Sequence, residues 1–142
     1  MSVVKPAVVD QPLLDLLAFC NLPVADISTS NAKFWAVRQD HELRGCIGLE
    51  TNDGVGLLRS LAVATESRGQ GLGAALVGVV EDAAREGGVS ELYLITNTAQ
   101  LYFESFGFVP VVRAKAPPII ATSRQFTSLC PSTSSVMRKL IG

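Results

Sequence analysis

A glycine-rich turn at residues 68–73 contains the residues best suited to chemistry in this chain. It reads Arg-Gly-Gln-Gly-Leu-Gly between an apolar run and a stripe of apolar residues at helical spacing, a pattern that predicts strand, loop and helix. Backbone N–H groups at the start of a helix lack partners and, with the positive end of the helix dipole, favour an anion. Glycines at 69, 71 and 73 let the main chain approach phosphate oxygens, and Arg68 adds a positive charge. The turn is therefore predicted to bind phosphate groups.

Two common phosphate-binding loops fit this turn poorly. A P-loop is excluded because no Gly-Lys-Ser/Thr ends the run. A dinucleotide-binding loop has more support, since Gly69, Gly71 and Ala74 fit G-x-G-x-x-A and Glu91 follows about twenty residues on. However, Glu91 precedes an apolar run instead of closing a strand, and the turn begins five residues after Val63 instead of directly after the strand. A third kind of loop is favoured.

The order of strand and turn points to one family. Leu61-Ala62-Val63 is followed, after a short link, by Arg68-x-x-Gly71-x-Gly73, and this pattern resembles the R/Q-x-x-G-x-G/A signature of the GNAT superfamily of N-acetyltransferases. The resemblance implies that the turn holds the pyrophosphate of coenzyme A, and that the strand backbone pairs with the pantetheine arm. The cofactor-binding residues implied are Leu61, Ala62, Val63, Arg68, Gly69, Gln70, Gly71, Leu72, Gly73, Ala74 and, from a second motif, Phe103.

The second motif covers residues 99–108. It reads Ala-Gln-Leu-Tyr-Phe-Glu-Ser-Phe-Gly-Phe and resembles the family's A-x-x-hydrophobic-Tyr-Glu-x-hydrophobic-Gly-Phe, a helix that flanks the thioester. The family's usual general acid is the tyrosine of this helix, but that position is Phe103 here, and Tyr102 lies one residue earlier. Because one residue turns a helical side chain by about 100°, two alternatives stay open. Either Tyr102 reaches the thioester sulfur through a shifted helix, or water or backbone assists the leaving thiolate.

The elements that must position these residues follow from hydrophobic periodicity and turn residues. Strands are predicted at residues 3–9, 34–38, 43–50, 55–63, 92–96, 108–112 and 134–141, with helices after residue 10, from residue 72 and at 99–106; further helical turns are placed at 24–27 and 119–129. This order matches the GNAT fold. The expected fold is α/β, a mixed central sheet of about six or seven strands with helices on both faces, in a single domain over residues 1–142.

Two charged residues on neighbouring strands are the candidates for the acceptor site. Glu50 ends an apolar strand and is predicted to act as the base or to bind the acceptor ammonium; an exposed strand-end glutamate is the alternative. Arg59 lies between Leu58 and Leu61, where a charge is costly unless it is paired. Strand alternation puts Arg59 on the face of Leu57, Leu61 and Val63. It is predicted either to pair with Glu50 or to bind a carboxylate or other oxyanion of the acceptor.

Other positions give weaker signals. Thr96 follows a strand at the mouth of the expected cleft, where it would contact a ligand or cap the next helix, and Thr98 is the favoured cap. Arg124 is a second candidate for anion recognition, with a solvated surface arginine as the alternative. His41 is expected to be solvated in a hairpin turn. The insert at residues 115–131 is interpreted as a flap over the acceptor site or as a dimer contact.

Composition excludes several classes. The 142 residues carry a net charge of −1 with scattered Lys and Arg, so no nucleic-acid partner is expected. No apolar run approaches the roughly 18 residues of a membrane span, and the N-terminus lacks a signal-peptide pattern, so a cytoplasmic location without membrane association is expected. Three widely spaced cysteines, Cys20, Cys46 and Cys130, are interpreted as free thiols, and no metal site is expected.

Three short strings narrow the resemblance to the small GNAT proteins of bacterial arsenic-resistance operons: residues 57–63, Ala116-Pro117-Pro118 and Ser128-Leu129-Cys130-Pro131. The family implies an acetyl-coenzyme A-dependent N-acetyltransferase acting on a small amine, and the narrower resemblance implies an amino-acid-like or organoarsenical acceptor. Two alternatives are kept: an acyl-coenzyme A sensor or partner protein with little or no turnover, and a protein or peptide N-acetyltransferase. A homodimer, the commonest closed assembly, is the oligomer expected if one forms.

Overall fold

The computed structural model describes residues 3–20, 22, 24, 32–96, 99–112 and 135–142. The elements are β1 Val4–Ala7, α1 Gln11–Phe19, β2 Lys33–Gln39, β3 Glu42–Asn52, β4 Val55–Val63, a 3₁₀ turn Thr65–Ser67, α2 Leu72–Glu86, β5 Glu91–Thr96, α3 Gln100–Glu104, β6 Val109–Val111 and β7 Ser135–Leu140. Their order is the predicted one, and α3 is shorter than expected. The helical turns predicted at 24–27 and 119–129, the insert at 115–131 and Arg124 lie outside the described residues, except for Val24.

The strands form one seven-stranded sheet in the order β1-β2-β3-β4-β5-β7-β6. The pair β4 and β5 is parallel, whereas β1 with β2, β2 with β3, β5 with β7 and β6 with β7 are antiparallel. The predicted α/β class with a mixed sheet is therefore confirmed. The chain divides into two compact units, residues 1–50 with 58–83 and residues 51–57 with 84–142. The single domain stays a prediction.

In the first unit, α1 covers one face of strands β2, β3 and β4. The helix begins at Asp10, whose Oδ1 accepts a hydrogen bond from the Leu13 N–H at 3.1 Å, a standard N-cap. Its buried face, Leu13 and Leu17, packs into a core shared by all three strands. That core consists of Leu13, Leu17, Phe34, Ala36, Cys46 and Ala62.

Two glycines of β3 allow close packing on opposite faces of the sheet. A Cβ at Gly45 would lie 3.0 Å from Leu76 Cδ1, so this glycine makes room for a side chain of α2. A Cβ at Gly48 would lie 2.8 Å from Phe34 Cε2 and 3.2 Å from Arg59 Cγ. Positions 45 and 48 point to opposite faces because strand side chains alternate. Helices α1 and α2 therefore lie on opposite faces of this part of the sheet.

The second unit is built on β5, β7 and β6. Leu57, Tyr93 and Val136 form its buried cluster, and β5 and β7 pair over six positions from Glu91↔Leu140 to Thr96↔Ser135. The Arg85 Nε–H donates to the Ile141 carbonyl at 2.7 Å and attaches the end of α2 to the last strand. No helix in the described ranges is long and apolar enough to cross a membrane.

We expect Gly48→Ala to lower the free energy of unfolding by about 1–3 kcal/mol, because the added methyl group overpacks the site between Phe34 and Arg59. The matched control is Gly78→Ala in α2, where a Cβ meets nothing within 4 Å and where alanine should stabilise by about 0.5–1 kcal/mol. Urea-induced unfolding of the two variants checks both signs. Equal effects would contradict the close packing at Gly48.

Candidate functional site

The predicted phosphate turn joins the 3₁₀ turn to α2. Gly69 has φ 83° and Gly71 has φ 78°, the left-handed region that glycine adopts without strain. A Cβ at either position would meet no atom within 4 Å, so local backbone geometry, not crowding, requires the glycines. The first backbone bond of α2 runs from the Ala75 N–H to the Gly71 carbonyl at 3.1 Å. The N–H groups that precede it are free of intrahelical partners, as at any helix start.

Arg68 is attached to the end of β4 and lies at the surface beside this turn. Its Nε–H donates to the Val63 carbonyl at 3.2 Å, and its Nη2 lies 3.8 Å from Cys20 Sγ, at the end of α1. These contacts hold the guanidinium next to the start of α2 while leaving it exposed. Arg68 can therefore add its charge to the helix dipole at one anion site.

The link between β4 and the turn is fixed to β3. The Ala64 N–H donates to the Arg44 carbonyl at 2.7 Å, and Arg44 Nη1 lies 3.0 Å from Glu66 Oε1. A second carboxylate, Glu42, lies 3.0 Å from Arg44 Nη2. Exposed ion pairs of this kind contribute at most about 1 kcal/mol, so their effect is to orient the link more than to stabilise the fold.

Ser60 interrupts the regular course of β4. Its φ is 59°, a left-handed conformation that costs a residue other than glycine about 1–3 kcal/mol. The carbonyl of Ser60 accepts a hydrogen bond from the Cys46 thiol at 3.5 Å. The parallel register with β5 covers Val55 to Leu57, and Ser60 follows three residues later. Nothing in the sequence around a serine predicts this conformation.

Because of this interruption, the prediction that Arg59 shares a face with Leu61 and Val63 is wrong. Arg59 Cγ lies on the same side of β3 as Gly48 and Phe34, and Ala62 packs into the core beneath α1 with Phe34 and Cys46. Residues 59 and 62 therefore share a face, although strict alternation would separate them and would place Arg59 with Leu61 and Val63. A left-handed residue between them shifts the alternation by one position, as in a β-bulge.

Arg59 and Glu50 form an ion pair across β3 and β4, the first of the two predicted alternatives. Arg59 Nη1 lies 3.1 Å from Glu50 Oε2, and the Arg59 Nε–H donates to Ser60 Oγ at 3.0 Å. The Arg59 side chain is 0% exposed, whereas the Glu50 side chain is 17% exposed. Glu50 is therefore the member of the pair that a ligand from solvent can reach. Arg59 is enclosed by the protein and holds the Glu50 carboxylate.

In the second unit, Tyr102 and Phe103 of α3 have different surroundings. Phe103 is 9% exposed and packs edge-on against Phe108, with ring centroids 6.0 Å apart. Tyr102 is 44% exposed and contacts Phe106 at a centroid distance of 4.9 Å. Partial burial raises the pKa of the Tyr102 phenol above its ordinary value. Phe103 thus belongs to the packed side of α3, and Tyr102 lies at the surface.

Thr96 ends β5 and is buried. Its Oγ1 accepts a hydrogen bond from the Ala99 N–H at 3.0 Å, so the hydroxyl helps to start α3. The N-cap residue of α3 is Ala99, which has no side-chain cap hydrogen bond, and Thr98, the predicted cap, lies outside the described residues. The ligand-binding role of Thr96 stays a prediction. In the described ranges, no group of three or more His, Cys, Asp or Glu side chains is placed to hold a metal ion.

Comparison with known families gives one match over more than half of the chain. Residues 30–110 match the family model described as acetyltransferase (GNAT) domain. This span includes β3, β4, the phosphate turn and α3. No curated protein sequence matches the chain.

Solved structures share the fold at low sequence identity. The chain is similar to N-acetylglutamate synthase from Neisseria gonorrhoeae complexed with coenzyme A and N-acetyl-glutamate, with a TM-score of 0.84, 19% identity and coverage of 100% of this chain and 35% of that one. It therefore spans about a third of that protein.

Two further structures match over nearly their whole lengths. A GNAT-family acetyltransferase from Staphylococcus aureus has a TM-score of 0.75 and 17% identity, with coverage of 99% of this chain and 100% of that one. Rv2747 from Mycobacterium tuberculosis, in complex with coenzyme A and NLQ, has a TM-score of 0.77, 16% identity and 99% coverage of both chains.

Burial raises the pKa of the Cys46 thiol from 9.0 to about 12, with a smaller effect of the nearby Cys20 in the same direction. At pH 9 an unfolded thiol is about half ionised, whereas Cys46 in the folded protein stays neutral. We expect Cys46 to resist iodoacetamide at pH 9 in the native protein and to react in urea, while the half-buried Cys20 reacts in both states. Peptide mass spectrometry gives the extent of labelling at each cysteine.

The same pKa shift predicts a loss of stability in alkali. Because the pKa of the folded state lies above that of the unfolded state, the contribution of Cys46 is complete below pH 9 and is lost as the pH rises towards 12. Cys46→Ala should remove this part of the pH dependence. Rapid native labelling of Cys46 at pH 9 would contradict its burial beneath Ser60.

Proposed function

Because the chain belongs to the GNAT acetyltransferase family, we propose that it transfers the acetyl group of acetyl-coenzyme A to the amine of a small molecule. The observation that carries this proposal is the turn at residues 68–73, in which two left-handed glycines and an anchored arginine lie at the start of α2. This arrangement favours an anion with several oxygens, such as a pyrophosphate.

The cosubstrate is proposed to bind along β4 and the turn. The pyrophosphate is assigned to the backbone of residues 69–74 and to Arg68, and the pantetheine arm to the backbone of residues 61–63. Phe103 is retained as a further cofactor contact. The coenzyme A present in the structures from N. gonorrhoeae and M. tuberculosis supports a coenzyme A ligand for this fold.

Glu50 is proposed to bind the acceptor ammonium and to take its proton. The amine must lose a proton before its nitrogen forms the bond to the acetyl carbon and the bond to sulfur breaks. A carboxylate fixed by Arg59 and partly open to solvent suits this role. Thr96 and Arg124 are proposed as further acceptor contacts.

The leaving thiolate needs a proton or a hydrogen-bond donor. Tyr102 is the proposed acid, since its phenol remains protonated over the physiological pH range; water or backbone N–H groups are the alternative. Positioning alone can supply up to about 7–11 kcal/mol of the barrier in well-oriented systems. Transfer therefore does not depend on a strong acid.

The acceptor class is proposed to be amino-acid-like. The similarity to a synthase crystallised with N-acetyl-glutamate favours an acceptor with an α-amino group. An organoarsenical acceptor rests on the short strings at residues 57–63, 116–118 and 128–131 alone. The cytoplasmic location and the homodimer stay predictions.

A second function is favoured by one position. Because Phe103 occupies the place of the family's tyrosine, a chain that binds acyl-coenzyme A without turnover remains a candidate. The peptide-acetyltransferase alternative depends on the segment 115–131, which lies outside the described residues.

The test of the function is thiol release from acetyl-coenzyme A in the presence of amino acids, phosphinic and arsenical amino-acid analogues, polyamines and peptides. We expect release with amino acids, and we expect Glu50→Gln to lower kcat/KM by about 100-fold or more through loss of the base. Glu86→Gln, which changes an exposed carboxylate at the end of α2, is the matched control and should stay within about threefold. Coenzyme A binding without release by any acceptor would favour the sensor.

Binding of the cosubstrate is tested at the turn itself. Gly71 and Gly54 have nearly equal φ values of 78° and 79°. Gly71→Ala and Gly54→Ala should therefore each lower the free energy of unfolding by about 1–2 kcal/mol. Only Gly71→Ala should weaken coenzyme A binding, by about tenfold or more, because its Cβ would displace a phosphate oxygen. Calorimetric titration gives the two dissociation constants. Equal affinities in both variants would reject the turn as the pyrophosphate site.

A further inference from the structure

The guanidinium of Arg59 forms a bridge between Glu50, the proposed base, and Ser60, which directly precedes the strand segment proposed to hold the pantetheine arm. Nη1 holds Glu50 Oε2, and Nε–H holds Ser60 Oγ. We propose that Arg59 is a positioning residue that couples the acceptor carboxylate to the cofactor strand, by fixing Glu50 and the left-handed Ser60 at the same time. This inference rests on the proposed function, since it assigns the pantetheine arm to residues 61–63.

The buried Arg59 side chain is less accessible to an acceptor from solvent than its partner Glu50. The Arg59 side chain is 0% exposed, so an acceptor meets the partly exposed Glu50 first. A guanidinium is a rigid planar group, and the directions of its N–H bonds are fixed relative to one another. Two of those bonds therefore fix the carboxylate and the serine hydroxyl relative to each other.

The position of the guanidinium is itself determined by packing. The aliphatic part of Arg59 passes over Gly48, where a Cβ would lie only 3.2 Å from Cγ. The ring of Phe34 covers the same spot, with Cε2 at 2.8 Å from that position. A side chain enclosed in this way has few alternative rotamers. The two hydrogen bonds consequently start from a fixed point.

Ser60 is where this bridge acts on the main chain. Serine has no intrinsic preference for φ 59°, so the conformation persists only where its surroundings hold it. The bond from Arg59 to Oγ holds the side chain, and the Cys46 thiol holds the carbonyl. Residues 61–63 follow directly, and their direction depends on the backbone at Ser60. The bridge thereby sets the strand segment assigned to the pantetheine arm.

The experiment compares alanine and glycine at position 60. Ser60→Ala removes the hydroxyl but keeps the strain, whereas Ser60→Gly removes both, because glycine adopts φ 59° unaided. Two probes are titrated by calorimetry: coenzyme A and 3′-phospho-ADP, which is coenzyme A without its pantetheine arm. We expect Ser60→Ala to weaken coenzyme A binding by about tenfold. Its affinity for 3′-phospho-ADP should stay within about twofold, and Ser60→Gly should bind coenzyme A nearly as well as wild type.

A double variant separates the two functions of the bridge. Arg59→Met should weaken coenzyme A binding and raise the KM for the best amino acid of the thiol-release panel. Adding Ser60→Gly to Arg59→Met should restore coenzyme A affinity but not the KM, because Glu50 still lacks its partner. Arg38→Met, which removes an exposed pair with Asp10, is the control and should change neither value.

The outcomes are distinguishable. Equal losses for alanine and glycine at position 60, or a parallel loss of 3′-phospho-ADP binding, would overturn the coupling while leaving the cosubstrate site intact. A wild-type protein that binds neither probe would reject the proposed function, and with it the coupling. If Arg59→Met does not fold, the two Ser60 variants, which keep the ion pair, still decide the question.

Discussion

A buried positive charge in β4 is the constraint on which the surrounding residues depend. The enclosed Arg59 must be paired, and Glu50 on β3 supplies the carboxylate. The stem of the arginine passes close to Gly48, where a Cβ would lie 3.2 Å from Cγ, and the Phe34 ring lies against the same position. Buried ion pairs often add little net stability compared with apolar packing. The consequence of this pair is therefore the fixed direction of the Glu50 carboxylate on β3.

The predicted phosphate turn is attached to the C-terminal end of β4. Arg68 is bonded to the Val63 carbonyl, and the N–H of Ala64 is bonded to the carbonyl of Arg44 on β3. A change of direction at Ser60 is therefore transmitted along only a few residues before it reaches the turn. Strand β4 carries Arg59, whose side chain pairs with Glu50 of β3, and the same strand leads through the 3₁₀ turn to the start of α2.

Much of this arrangement was predictable because it follows from local rules. Strand and helix order came from hydrophobic periodicity, and the cost of an unpaired charge between apolar residues predicted a partner for Arg59, with Glu50 as one of two alternatives. The face of Arg59 was not predictable, because alternation assumes a regular strand and serine carries no signal for a left-handed conformation. The need for glycine at position 48 was also hidden, since it arises from a ring on another strand and from the stem of Arg59.

The second motif shows why a one-residue shift matters. In the five-residue helix α3, position 103 faces the aromatic cluster with Phe108, and a phenol there would bring a hydroxyl into apolar surroundings. A buried hydroxyl without a partner is costly, so phenylalanine suits this packing. Tyr102 is 44% exposed, and the pKa of its phenol is raised by partial burial. Packing within the second unit thus favours phenylalanine at position 103, while the neighbouring Tyr102 lies at the surface.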